Sequence, residues 1–233
     1  MRQLIRGSLA IAAVLTVGQC RAEYVVTYDL TGEPGDQGST AATSVAENVI
    51  GKDLARGPGI NPTSAGGSIS SSGWNSFNPA EDYFSFGFTV DPGYFANLQE
   101  LRIVTRSSNT GPGELGLFYS GDDFTTNLHG FSQPGDSNLN SVIDLSALTN
   151  LMGEVEFRIV AVENVRANGD PNIAAGGTFR IANPAGGPMG ITGTVTAVPE
   201  PSSLALLGLV AVAGGVMLRR RRQRSASGVR LAS

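Results

Sequence analysis

The sequence predicts an all-β protein: an antiparallel β-sandwich, jelly-roll-like, with an N-terminal signal helix and a C-terminal single transmembrane helix. Three observations carry this expectation. Several stretches of the middle region alternate apolar and polar residues with period two, the pattern of strands buried on one face only. Gly supplies 31 of the 233 residues, about twice the usual share of about 7%; together with Pro, Asn and Asp it punctuates those stretches at turn-like intervals. Between the two apolar ends there is no long stretch of 3.6-residue period.

The chain opens with a short basic segment, Met1 to Gly7, followed by the apolar run SLAIAAVLTVG from Ser8 to Gly18 and then by Gln19-Cys20-Arg21-Ala22. Basic start, apolar centre and a small residue at the cut form a secretory signal peptide over residues 1–22. Signal peptidase is expected to cut between Ala22 and Glu23. The run is short for a membrane span, so cleavage is favoured over retention as an anchor. Lipid attachment at Cys20 is the alternative, and it is disfavoured because Gln19 replaces the small residue that usually precedes an acylated Cys. Cleavage after Ala22 leaves no Cys in the mature protein, hence no disulfide in an oxidising compartment.

Residues 23–196 form the expected extracytoplasmic sandwich. Phe84, Phe86, Phe88 and Val90 share one face of a strand; Leu101, Ile103 and Thr105 share a face of the next. Leu115, Leu117 and Tyr119 follow the turn Asn109 to Gly113, and Val155, Phe157, Ile159 and Ala161 alternate with Glu154, Glu156, Arg158 and Val160. Shorter strand candidates are Tyr24 to Tyr28, Ser141 to Leu145, Thr178 to Ala182 and Ile191 to Ala197. Asp144 to Leu151 has room for one helical turn. The Gly/Ser/Asn-rich stretch Gly57 to Asn78 reads as an irregular surface loop, as does Ala185 to Gly190.

After Val198 comes Pro199-Glu200-Pro201-Ser202-Ser203, then the uncharged run LALLGLVAVAGGVML from Leu204 to Leu218, then Arg219-Arg220-Arg221-Arg222. Four consecutive Arg cannot end a buried core helix unpaired, and the run has no polar face for an interfacial helix. At about 1.5 Å per residue it reaches about 22 Å, and arginine snorkelling with local thinning closes the gap to a hydrocarbon core of about 30 Å. Arg219 to Arg222 mark the cytoplasmic end, so membrane lipid is an expected partner and residues 23–198 lie outside the cytoplasm.

This tripartite end resembles the PEP-CTERM sorting signal of exported bacterial proteins, placed here at residues 197–224 with a short tail at 225–233. The resemblance implies recognition by an exosortase, a membrane-embedded cysteine transpeptidase that cuts near Pro199, Glu200 and Pro201 and delivers the protein to the cell surface or the extracellular matrix. The extension from Gln223 to Ser233 is longer than the family pattern. The middle region is similar to the secreted, Gly-rich sandwich domains that precede this signal in planctomycete-type bacteria, through Ala55-Arg56-Gly57, Tyr83-Phe84-Ser85-Phe86, Ser107 to Gly113 and Val155-Glu156-Phe157-Arg158. That resemblance implies a surface context and no active site.

Composition excludes several chemistries. One Cys and one His rule out a disulfide scaffold, a zinc finger and any serine triad not using His129. Residues 23–198 hold 19 acids against Lys52 and six Arg, a net −12, which opposes nucleic acid binding. The pairs Gly35-Asp36, Gly121-Asp122, Gly135-Asp136 and Gly169-Asp170 read as turns; no cofactor is expected, and a structural Ca²⁺ at Asp122-Asp123 is the alternative. Trp74, in its Gly/Ser loop, is the candidate ligand contact for an extracellular polysaccharide, with a lid over the core edge as its simpler role. Glu154 and Glu156 share a strand face about 7 Å apart, the spacing a glycosidase needs but also that of any polar strand face. Arg102 and Arg106, with Glu100, read as a solvated face. The resulting expectation is a non-enzymatic surface or matrix protein, with a polysaccharide-binding module as the alternative and a carbohydrate-active enzyme behind both.

Overall fold

In a computed structural model of the chain, residues 23–198 are described. The signal segment through Ala22, the Pro199-Glu200-Pro201 motif, the apolar run, Arg219 to Arg222 and the tail lie outside the described residues. Fifteen strands occur among those that are described: β1 Glu23–Tyr28, β2 Pro34–Gly35, β3 Ser39–Thr40, β4 Ser44–Val45, β5 Val49–Arg56, β6 Asn61–Pro62, β7 Ser68–Ser72, β8 Tyr83–Val90, β9 Tyr94–Ser107, β10 Glu114–Tyr119, β11 His129–Ser132, β12 Asn138–Asp144, β13 Gly153–Ala161, β14 Phe179–Ala182 and β15 Met189–Ala197. Two short 3₁₀ turns, Trp74–Ser76 and Ser120–Asp122, complete the elements.

These strands build two facing sheets. One has the order β11-β10-β13-β8-β5-β3 and is antiparallel throughout. The other is organised on β9, the longest strand at 14 residues. Along Glu100 to Arg106, β12 occupies one edge of β9. β14, paired with residues 104–107, and β15, paired with residues 94–102, therefore share the opposite edge end to end. β7 and β1 continue outward from β14 and β15, and the short strands β6, β2 and β4 finish the sheet.

The period-two stretches fold as expected. Phe84, Phe86, Phe88 and Val90 point into the core, as do Leu101, Ile103, Leu115, Leu117, Val155, Phe157 and Ile159. Each such aromatic or aliphatic side chain contributes about 1.5–3 kcal/mol by leaving water. Phe86 stacks on Phe157 at 5.8 Å between ring centroids, and Tyr28 meets Phe86 edge-on at 6.4 Å.

Two expectations are corrected, and one strand appears that the pattern does not name. Gly57 to Asn78 is not an irregular loop, because β7 lies within it and buries Ser68, Ile69, Ser70 and Ser71. The serines are tolerated because their polar atoms find partners: Ser70 Oγ pairs with Thr63 Oγ1 at 2.8 Å, and Ser71 Oγ accepts from Trp74 Nε1 at 2.9 Å. β5 carries no period-two signal because its pairing with β8 shifts register between Lys52 and Ala55. A bulge changes which parity of residues faces inward, so Val49 and Leu54 are both buried although five positions apart. Asp144 to Leu151 makes a turn, with Leu148 N–H donating to the Leu145 carbonyl at 2.9 Å, and no helix.

At the bulge the ladder leaves backbone groups that need partners, and one side chain from the other sheet supplies them. Tyr28 of β1 is fully buried, with its Oη 2.8 Å from the Lys52 carbonyl and 2.9 Å from the Gly87 carbonyl; it also accepts from the Gly87 N–H at 3.0 Å. Gly87 has no Cβ because one there would stand 2.0 Å from the Val155 carbonyl oxygen. Tyr28→Phe removes the hydroxyl and leaves these groups dry. It should cost about 1–3 kcal/mol in chemical denaturation with the fold retained, and a loss below about 0.5 kcal/mol would show that the phenol is not a pin between the sheets.

Candidate functional site

The place where the domain hands over to the rest of the chain is fixed by pairing. β1 and β15 run antiparallel, with Glu23 opposite Gly193. β15 continues past that point to Ala197, opposite Tyr94, and Val198 N–H donates to the Gly93 carbonyl at 2.8 Å. The first and last described residues therefore emerge at the same end of the sandwich. Arg106 lies twelve residues up β9 from Tyr94, about 40 Å away at about 3.4 Å per residue, toward the opposite end.

Trp74 does not stand in solvent. Its side chain is fully buried, 5.5 Å from the Phe179 ring and 6.0 Å from the Phe84 ring between centroids. Its indole N–H is spent on Ser71 Oγ. A ring with no exposed surface and with its only donor satisfied offers nothing to a sugar, so the ligand-contact expectation for Trp74 is overturned. The following turn is held by Asp82, whose Oδ2 accepts from Ser76 Oγ and from the Asn78 N–H.

Glu154 and Glu156 do share the outward face of β13, and both converge on Lys52 Nζ. Glu156 also accepts from Arg158 Nε at 2.8 Å. The Arg158 guanidinium in turn lies between the rings of Tyr83, at 4.2 Å, and Phe124, at 3.9 Å. Burial by itself raises the Glu156 carboxyl, but its hydrogen bonds to Lys52 and Arg158 outweigh burial and hold it below the usual carboxylate range. The Lys52 ammonium is likewise lowered by burial and raised more strongly by Glu154 and Glu156. Two acids and two cations in contact, Glu154 and Glu156 with Lys52 and Arg158, form an ion-pair cluster.

The four Gly-Asp pairs all lie in turns or short strands. Gly35 and Gly169 take left-handed backbone at φ 100° and 89°. In the other two, that conformation falls on Asp136 and on Asp123 instead, at φ 54° and 58°. Asp122 caps its own turn, with its carboxylate accepting from the Thr125 and Thr126 N–H groups at 3.2 and 3.1 Å. Among the described residues no group of three or more His, Cys, Asp and Glu is placed to hold a metal ion. His129 packs edge-on against Phe131 at 5.0 Å.

The segment that leaves the sandwich is the one that known proteins share. The PEP-CTERM protein-sorting motif matches residues 197–222. It begins on the last residue of β15 and runs through Pro199, Glu200 and Pro201 to Arg222. No curated protein matches the chain. Among solved structures, a family 29 carbohydrate-binding module is similar at 13% identity over 75% of this chain and 89% of that chain, with a TM-score of 0.36. A variant of the family 29 module CBM29-2 complexed with mannohexaose is similar at 12% identity over 75% and 92%, TM-score 0.36, and another complexed with cellulohexaose at 11% over 74% and 91%, TM-score 0.38.

Two outcomes follow. Trp74 is the sole tryptophan of the chain, so its emission should be that of an apolar interior and resist acrylamide until the protein unfolds; a red, readily quenched emission would return the ring to the surface. Glu156→Gln should cost about 1–2 kcal/mol at pH 7. Because the folded carboxyl sits below its unfolded value of about 4.3, its contribution is present above that value and is lost as pH falls through the folded pKa. The gap between wild type and variant in denaturant titrations should therefore close on the acid side, and a gap unchanged below pH 4 would remove Glu156 from the acid response.

Proposed function

We propose that this chain is an exported surface protein whose sandwich, residues 23–196, is carried to its destination by the signal at its C-terminus. Signal peptidase releases residues 1–22 between Ala22 and Glu23. The apolar run holds the precursor in membrane lipid with Arg219 to Arg222 on the cytoplasmic side. An exosortase-type transpeptidase then cuts near Pro199, Glu200 and Pro201 and passes the domain to the cell surface or the extracellular matrix. The match of residues 197–222 to the sorting motif carries this reading. Two features of the chain support it. Pro199 and Pro201 lack an N–H and bias their neighbours away from helix, which suits a segment presented extended to an enzyme groove. Both ends of the domain leave from one side of the sandwich, so a single membrane-facing end accommodates both processing events without burying the other end.

The reading assigns no catalysis to the domain, since the acid pair singled out by spacing is engaged on Lys52. Replacing Pro199-Glu200-Pro201 by Ala-Ala-Ala in native cells should leave the full-length, membrane-held form uncut and abolish the shorter surface form, as read by immunoblot of cell fractions and intact mass. Release of the shorter form at the wild-type level would sink the motif as the processing site.

A further inference from the structure

Register partners in a sheet point to the same face, and one row across the β9 sheet concentrates cations. Asn138 of β12 opposes Arg106 of β9, Arg106 opposes Arg180 of β14, and Arg180 opposes Ser70 of β7. Phe179 and Ile181, the sequence neighbours of Arg180, are buried in the core, so the arginine row faces outward. Like charges directly opposite one another destabilise a strand pair, and proteins ordinarily relieve this with a carboxylate.

That relief is absent among the described residues. Lys52, Arg102, Arg158 and Arg166 each have a carboxylate partner within 4.0 Å. Arg56 donates to the Ser70, Gln37 and Gly35 carbonyls. Arg106 and Arg180 alone among the described cations have neither. Burial first, and then the charge of Arg106, hold the Arg180 guanidinium below its ordinary range, the mark of a cation short of counter-charge. This occurs in a domain with a net −12, where acids are not scarce.

Arg106 and Arg180 line an open cleft of about 230 Å³ together with Thr63, Ser70, Ser108 and Asp136. The Thr63–Ser70 hydroxyl pair shares one hydrogen bond, which leaves the second proton of the pair to donate. Ser108 Oγ accepts from the Thr178 N–H at 2.9 Å, so its own proton is also available. Asp136 is the one carboxylate in the lining, and it is held by Asn109 Nδ2. The cleft thus carries two cations, one engaged acid and two hydroxyl protons free to donate.

We propose that this cleft binds an oxyanion, a carboxylate or a sulfate, bridged by Arg106 and Arg180 and capped by the Thr63–Ser70 and Ser108 hydroxyls. Paired planar forks match the two oxygens of a carboxylate or two of a sulfate, and one bridging anion removes the repulsion between both arginines. Such a group is presented by an acidic polysaccharide or by a free inorganic ion. The site stands on the sheet register and does not depend on the export reading.

The test is calorimetric titration of the full chain in non-ionic detergent at constant ionic strength with trigalacturonate, with sulfate and with neutral maltotriose. Trigalacturonate, sulfate or both should bind, and maltotriose should not. Tighter binding of trigalacturonate assigns the polymer-borne group, tighter binding of sulfate the free ion, and either supports the site. Arg106→Gln with Arg180→Gln should weaken the anion at least tenfold, whereas Arg102→Gln, on the same face but paired with Glu100, should weaken it less than twofold. The double variant removes a like-charge repulsion, so it should melt no lower than wild type in chloride. Arg180→Lys keeps the charge and loses the fork, and should weaken binding at least threefold even if the double variant fails to fold. No binding of either anion by wild type, binding equal to that of maltotriose, or equal losses in Arg102→Gln and the double variant would overturn the proposal.

Discussion

The two sheets are tied in register by a hydroxyl that crosses between them. The bulge of β5 between Lys52 and Ala55 interrupts its ladder with β8, and an unpaired backbone group there would cost about 1–3 kcal/mol. Tyr28 reaches across from β1 and meets the Lys52 carbonyl and both backbone groups of Gly87. Burial pushes its ionisation well above the usual range, only partly offset by the bond to Gly87, so the phenol remains a neutral donor and acceptor at any physiological pH. The arrangement requires Phe86 beside the ring and no side chain at Gly87. A shift of β8 by one residue would replace Gly87 by Phe86 or Phe88 at the phenol and turn the inward phenylalanines to solvent. The bulge, the tyrosine and the glycine thus define one sliding position of sheet on sheet.

How much of this could be read from the chain depends on whether a strand keeps its parity. β8, β10 and β13 alternate without interruption, as does β9 beyond its register shift at Gln99, and the inward residues there are the ones the pattern names. β1, β12, β14 and β15 were also legible, within a few residues of their observed ends. β5 was not, because a bulge converts Val49 and Leu54 into a spacing that suggests no strand. β7 was not, because a run of serines in the interior is satisfied by partners that alternation does not reveal, the Trp74 indole N–H three residues on and the Phe179 carbonyl of β14 for Ser71. For the same reason Trp74 read as exposed: its Gly/Ser surroundings describe the turn that delivers it, while the rings that enclose it come from β8 and β14.

The candidate sites divide along the same line. Spacing along one strand placed Glu154 and Glu156 on a shared face, and they are there, but the residue that determines their state is Lys52, on another strand of the same sheet. Arg106 was visible as one charge on a polar face. Its pairing with Arg180 exists only because β14 lies beside β9, and two cations far apart in sequence carry no sign that they will be neighbours. The sorting segment is the opposite case. Its information is linear, a motif followed by an apolar run and a basic cluster, and it needs no folded context to be read.

Charge arranges the rest. The domain as a whole is strongly acidic, so an approaching anion meets repulsion over distances up to the Debye length of about 8 Å at physiological salt. The attraction of the Arg106–Arg180 row acts only at contact and is least screened where the groups are half-buried. A densely charged polyanion such as a nucleic acid would pay the long-range term once for every phosphate near the surface while gaining the contact term only once. A small oxyanion, or isolated acidic groups spaced along an otherwise neutral polymer, pays little of the first and receives all of the second. The same two arginines in a basic domain would bind polyanions indiscriminately; set in this acidic one, about 40 Å along β9 from the end where the first and last described residues emerge, they favour sparse charge.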